Sequence, residues 1–237
     1  MESISRPYVS ALWATICIFT TDTPGRTLTA HATSLICADT DLRGPISVGP
    51  NVIIHPRATI YAAAGPIMLG EGCIVEEGCI IVNRKKDTMK IGENNHFMVG
   101  CRTFYPFDLI YLDNNLIGRA GIESPSIGNN NIFQPKSTAS GGVIVTDNCI
   151  ISAGTILLPS PTGTDQEPET LPPYTVIYGA DSSRRTWDGS GHVAEMALRS
   201  KQAEYLREIM PKYVYNDVSP VDCIINEYRF NRLRPTT

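Results

Sequence analysis

With 237 residues and a net charge of −4, the chain can bury a core of its own, and its balanced charges argue against a binder of nucleic acid or of membrane surfaces. Charged residues make up only 19%, low for a globular domain, while 19 glycines and 17 prolines imply many turns. Seven cysteines are an odd number without Cys-x-x-Cys or zinc spacing, which argues against a disulfide frame and suits reduced thiols.

The first recognisable segment is an apolar run from Ala11 to Phe19, too short for a bilayer span of about 20 residues. Arg6 is the one basic residue ahead of it, Thr15 interrupts it, and Asp22-Thr23 follow without a small-residue cleavage pattern, so no secretory signal is expected. Residues 1–29 read as an N-terminal arm or an extra strand.

A six-residue beat follows. Aliphatic or apolar residues stand at Ile36, Leu42, Val48, Ile54 and Ile60, then Leu69, Val75 and Ile81, then Ile91 and Phe97. The beat returns at Ile127, Phe133, Ala139, Val145, Ile151 and Leu157, and again at Leu171 and Ile177. Neither a helical period of 3.6 nor a strand period of 2 accounts for it. Four residues after many of these positions comes a small side chain, as at Ala58, Ala64, Cys73, Cys79, Cys101, Ser137, Cys149 and Thr155. Gly often follows the aliphatic, as at Gly49, Gly70, Gly92 and Gly128, and is expected to take the positive φ of a bend.

Each rung is thus a short strand and a bend, three rungs close a triangular coil, and coils stack about 4.8 Å apart. About six coils give a prism on the order of 30 Å long by that spacing. The four cysteines in the small position pack as buried hydrophobes.

Counted in threes, Ile36, Ile54, Val75, Phe97, Phe133 and Ile151 line a first face. Leu42, Ile60, Ile81, Thr103, Ala139 and Leu157 line a second, and Val48, Leu69, Ile91, Ile127, Val145 and Leu171 a third. All departures from six then fall between the second and third faces, so the loops are expected to gather at one edge as a binding surface. Arg84, Lys85, Lys86 and Lys90 make a basic stretch there, and Asp165, Glu167 and Glu169 an acidic one. Ile110, Leu116 and Ile122 keep the six-residue spacing and suggest an added partial coil.

Beyond Asp181 the beat ends, and Ser182 to Gly191 read as a linker. The spacing predicts a helix from about His192 to Met210, with Met196, Ala203, Leu206, Ile209, Met210 and Val193 facing inward and Glu195 and Arg199 paired outside. Pro211 is expected to end it. A second helix is predicted from Ser219, with Val221, Ile224, Ile225 and Tyr228 on its apolar face. The organisation expected is an arm over 1–29, a β-helix over 30–181 with insertions at 82–90, 104–126 and 158–170, and a linker with C-terminal helices over 182–237.

Several blocks are more specific than the beat. Leu42-Arg43-Gly44, Val48-Gly49-Pro50, Ala64-Gly65-Pro66-Ile67, Leu69-Gly70-Glu71-Gly72, Ile91-Gly92-Glu93-Asn94-Asn95 and Thr175-Val176-Ile177-Tyr178-Gly179-Ala180-Asp181 resemble the dynactin subunit 6 family, over about residues 30 to 215. The resemblance implies a left-handed β-helix of hexapeptide repeats, a hand that the spacing alone does not fix. It also implies a non-catalytic place in the dynactin pointed-end complex. The neighbours implied are dynactin subunit 5, dynactin subunit 4 and the pointed-end actin-related protein, with dynein and cargo adaptors reached indirectly in the cytoplasm on microtubules.

The alternative is an enzyme on the same prism. A γ-class carbonic anhydrase needs three His around a metal, and the chain has His31, His55, His96 and His192 without close same-strand spacing. His31 and His55 fall in early coils away from His96, and each His reads as a surface or corner residue. That family's Arg-Gly-Asp corner stands here as Arg43-Gly44-Pro45, without the carboxylate. His96 and Cys101 are a weak ligand pair. A hexapeptide acyltransferase would need a His general base, and no residue identifies one. No catalytic, metal or cofactor-binding residue is assigned.

Overall fold

Side chains that arrive inward every sixth residue must stack if the backbone is to satisfy its own N–H and C=O groups between coils. The computed structural model, which describes residues 26–37, 39–101, 111–112, 115–116, 122–160, 168–213 and 223–225, is a left-handed parallel β-helix built on that register. On the first face Ile36 pairs with Ile54, Ile54 with Val75, Val75 with Phe97, Phe97 with Phe133, and Phe133 with Ile151. Ile177 adds a further rung beyond Ile151. Phe97 and Phe133 stack with ring centroids 4.8 Å apart, which matches the spacing of their strands. The third face runs Val48, Leu69, Ile91, Ile127 and Val145, as expected. Its first described strand is Arg26–Ala30, parallel to Asp41–Val48, so residues 26–29, expected in an arm, pair with the coil.

The second face corrects the expected register. It runs Leu42, Ile60, Ile81, Ile122, Ala139 and Leu157, so the slot given to Thr103 belongs to Ile122. Thr103 itself lies outside the described residues. The long insert therefore enters between the first and second faces, after Cys101, whereas the departures at 60–69, 81–91 and 157–171 do lie between the second and third. Within the insert, Tyr111–Leu112 and Asn115–Leu116 pair antiparallel with each other, where an added parallel partial coil was expected. Ile110 lies outside the described residues.

Corner chemistry is also more specific than the pattern implied. The positive φ falls three residues after the inward side chain: at Asn51, Gly72, Asn94, Asn130 and Asn148 on one corner, and at Arg57, Gly78, Gly100, Lys136 and Gly154 on the next. The Gly directly after the aliphatic has another cause. A Cβ on Gly70 would lie 2.6 Å from the backbone of Gly92, so these glycines let neighbouring coils touch. One residue beyond each bend, Asn95 and Asn131 are buried and form a ladder. Asn95 Oδ1 accepts the Asn131 N–H at 2.9 Å, and Asn131 Oδ1 accepts the Cys149 N–H at 2.7 Å. Cys73, Cys79, Cys101 and Cys149 are free and buried, Cys37 is buried with them, and burial lifts the Cys73 thiol to about 11, as suits core groups.

Both ends of the first-face sheet are closed by antiparallel strands. Ser183–Thr186, expected to be linker, folds back on Thr175–Tyr178. Just before it Ser182 Oγ donates to the Ile156 carbonyl at 2.6 Å, and within it Arg184 donates to the Leu158 carbonyl at 2.8 Å while pairing with Glu169. At the other end Cys223–Ile225 pairs with Leu35–Cys37. That corrects the second helix: an open strand edge offers unpaired backbone groups, and the β-branched Ile224-Ile225 meets that demand as a strand. The remaining residues of the expected second helix lie outside the described ones.

Helix α1, His192–Tyr213, lies along the corner that carries Asn51, Gly72 and Asn94. Its last turn includes Pro211, so the helix runs past the residue expected to stop it. Met196, Ala203, Leu206, Ile209 and Met210 are half-buried as expected, but Val193 is 82% exposed. Arg199 is the reverse, only 8% exposed. It donates to the Asn94 carbonyl at 2.6 Å and pairs with Glu195 at 2.8 Å, while Arg207 donates to the Asn51 carbonyl at 2.6 Å. Arg199 thus turns toward the prism because the bend leaves a backbone acceptor there. The two arginines are eight residues, about 12 Å, apart along the helix, and their acceptors are two coils, about 10 Å, apart. Between them Ala203 and Gly72 line the same cleft, and both are small.

Two outcomes follow. Gly70→Ala should cost about 2–3 kcal/mol in denaturant unfolding, because backbone must move. Gly154→Ala, where a Cβ meets nothing within 4 Å, should cost only the roughly 1 kcal/mol of left-handed strain. Arg199→Ala should weaken helix docking by about 2 kcal/mol, seen as faster hydrogen exchange in α1 with rung amides still protected.

Candidate functional site

Two places carry chemistry worth testing: the flank of the first face, where histidines meet a carboxylate, and the edge where the short loops gather.

On the flank, Glu76 follows Val75 as His55 follows Ile54, one coil apart. His96 pairs in register with Ile74, and its Nε2 lies 2.7 Å from Glu76 Oε1. The other Glu76 oxygen accepts the Val99 N–H at 2.9 Å. His96 is buried, and His55 Nε2 is buried without a hydrogen-bond partner among the described residues. The histidines expected to lie apart and on the surface therefore bracket one carboxylate, because a coil brings together positions about twenty residues apart in sequence. Burial is the largest single influence on Glu76 and opposes its charge, but the His96 bond and charge, the Val99 N–H and His55 together hold it below the ordinary carboxylate range. Burial lowers the His55 pKa, against the pull of Glu76.

Among the described residues no three His, Cys, Asp or Glu side chains group so as to hold a metal. Cys101 does not join His96: its thiol lies within 3.3 Å of the Phe133 and Gln134 carbonyls inside the corner. His31 bonds to Thr33 Oγ1 at 2.9 Å, and the His192 ring lies 6.3 Å from that of Trp187.

At the loop edge, Asn83 is a clamp that the sequence reading passed over. Its Nδ2 donates to the Pro66 carbonyl at 3.0 Å and the Asp87 carbonyl at 2.8 Å, and its Oδ1 accepts the Lys85 N–H at 3.0 Å. That last bond is an Asx turn, and an Asn ahead of a basic run was its available signal. Gly65 sits beneath: a Cβ there would be 2.5 Å from the Lys85 and Lys86 carbonyls. Arg84 pairs with Glu123 of the next coil at 2.9 Å. Lys85, Lys86 and Lys90 are exposed. In the acidic stretch, Glu169 accepts from Arg184 and from the Ser160 N–H, the latter at 2.7 Å. The Arg184 bond is the largest influence lowering its pKa. Asp165 and Glu167 lie outside the described residues.

No family model matches the chain. Among curated proteins, dynactin subunit 6 of Xenopus tropicalis is 30% identical over 191 residues, covering 76% of this chain and 79% of the relative. The chain belongs to the dynactin subunit 6 family. The member from Danio rerio is 28% identical over 77% of this chain and 83% of its own length. The one from Dictyostelium discoideum is 36% identical over 52% of this chain and 57% of its own. Among solved structures, a hexapeptide transferase family protein from Anaplasma phagocytophilum matches with a TM-score of 0.47 and 14% identity, over 78% of this chain and 92% of that one. Among the described residues no helix is long and apolar enough to cross a membrane.

The flank gives a pH signature. His55 ionises less readily folded than at its ordinary value of 6.5, so protons favour the unfolded chain as pH falls below that value. Glu76, depressed below 4.5, adds stability above that value which is lost as pH falls through its folded pKa. Both act in the same direction. Thermal melts should fall progressively on acidification from neutral pH, and His55→Gln should flatten the first part of that decline; an unchanged slope would refute the assignment.

Proposed function

We propose that this chain is a non-catalytic structural subunit of the dynactin pointed-end complex, supporting dynein-driven, microtubule-based transport in the cytoplasm. The observation that carries the reading is membership of the dynactin subunit 6 family across 79% of the Xenopus relative's length. The proposed neighbours are dynactin subunit 5, dynactin subunit 4 and the pointed-end actin-related protein, with dynein and cargo adaptors served indirectly. A prism whose first-face sheet is closed at both ends by antiparallel strands suits such a role. It does not invite growth by strand pairing at those ends, and leaves faces and loops for contacts.

An enzyme of the γ-carbonic anhydrase or hexapeptide acyltransferase kind is the competing reading, and both kinds work as trimers. Tagged full-length chain should recover dynactin subunits 4 and 5 and the actin-related protein from cytosol, and light scattering should find one protomer or a one-to-one pair with a second β-helical subunit. A homotrimer carrying stoichiometric zinc, iron or cobalt, with no dynactin polypeptides recovered, would sink the proposal.

A further inference from the structure

The chain as a whole is acidic, with a net charge of −4, yet one surface is locally basic and held in place. Lys85, Lys86 and Lys90 are exposed, and none takes part in the ion pairs among the described residues. Arg84 is bound to Glu123, and exposed Asp87 removes one charge, which leaves the surface positive.

The backbone under these lysines is fixed before any partner arrives. Asn83 ties the loop to Pro66, Asp87 and Lys85, and the Asn83 carbonyl accepts the Ala63 and Ala64 N–H groups at 3.0 and 3.1 Å. Ordering of the loop is therefore not a cost of binding. Beside the cations runs an apolar ledge. Ala63, Ala64, Pro66 and Met68 are exposed, Met68 to 48%, and Met68 is the register partner of Lys90. An apolar strip with a charged border is the usual plan of a protein docking surface, and the sign of the border selects the partner.

We propose that the ledge at Ala63–Met68, bordered by Lys85, Lys86 and Lys90, docks an acidic segment of a partner protein in which apolar residues are interspersed. The inference deepens the docking role above by naming its surface and the chemistry of its partner.

The test uses the full chain and fluorescence anisotropy with a labelled peptide of repeated Glu-Asp-Leu, against a Gln-Asn-Leu control. The acidic peptide should bind and the neutral one should not, with affinity falling as salt rises. Combining Lys85→Glu, Lys86→Glu and Lys90→Glu should weaken binding by about tenfold or more, Met68→Ser should weaken it several-fold, and Lys201→Glu, on the helix, should leave it unchanged. Because none of these lysines has an ion-pair partner among the described residues, the melting temperature should not move. Binding that survives the triple charge reversal, equal binding of the neutral peptide, or no binding at all would overturn the proposal. So would displacement by polyuridylate as effective as by the peptide itself, which would make the surface a general polyanion site. Recovery of dynactin polypeptides without peptide binding removes the surface and leaves the family role standing; peptide binding without their recovery does the opposite.

Discussion

The rest of this molecule depends on the contact distance between stacked coils. Parallel strands in register place like positions about 4.8 Å apart, so every residue type in a coil is judged against the residue directly above and below it. That is why Gly70 and Gly92 touch through backbone atoms, why two phenyl rings stack at the strand spacing, and why Asn95 and Asn131 pass a hydrogen bond from coil to coil. A residue that suits one coil and not its neighbour is penalised twice.

The same repetition made much of the fold legible. An inward side chain every sixth residue is a strong signal, and the first and third faces follow it with no displaced rung. The second face failed at one slot for a physical reason. Thr103 and Ile122 both satisfy local spacing, and only pairing with Ile81 and Ala139 chooses between them. Arg199 was misread because a cation on a helix ordinarily seeks water, and its acceptor is a backbone carbonyl that no sequence pattern displays. The strand at Cys223–Ile225 exists because an edge formed nearly two hundred residues earlier needed covering, a tertiary demand outweighing local helix signals.

The candidate sites were legible in unequal measure. The basic stretch at 84–90 is plain in the sequence, but its rigidity is not: that comes from Asn83 and Gly65, whose importance lies in what a second coil places against them. The histidine flank was invisible. His55, Glu76 and His96 look unrelated in a linear reading, and winding brings their charges into one another's field. Coiling converts separations near twenty residues into adjacency, so functional clusters on such a scaffold are written in steps of a whole turn.

The helix on the corner sets a limit on how this architecture can vary. Its two arginines grip bends two coils apart, and a helical turn advances about 5.4 Å where a coil advances about 4.8 Å. Inserting or deleting a coil between those bends would shift one acceptor out of reach unless the helix changed length by about one turn in step. The prism and its buttress are therefore tied as a vernier, and lineages that lengthen one without the other should be rare.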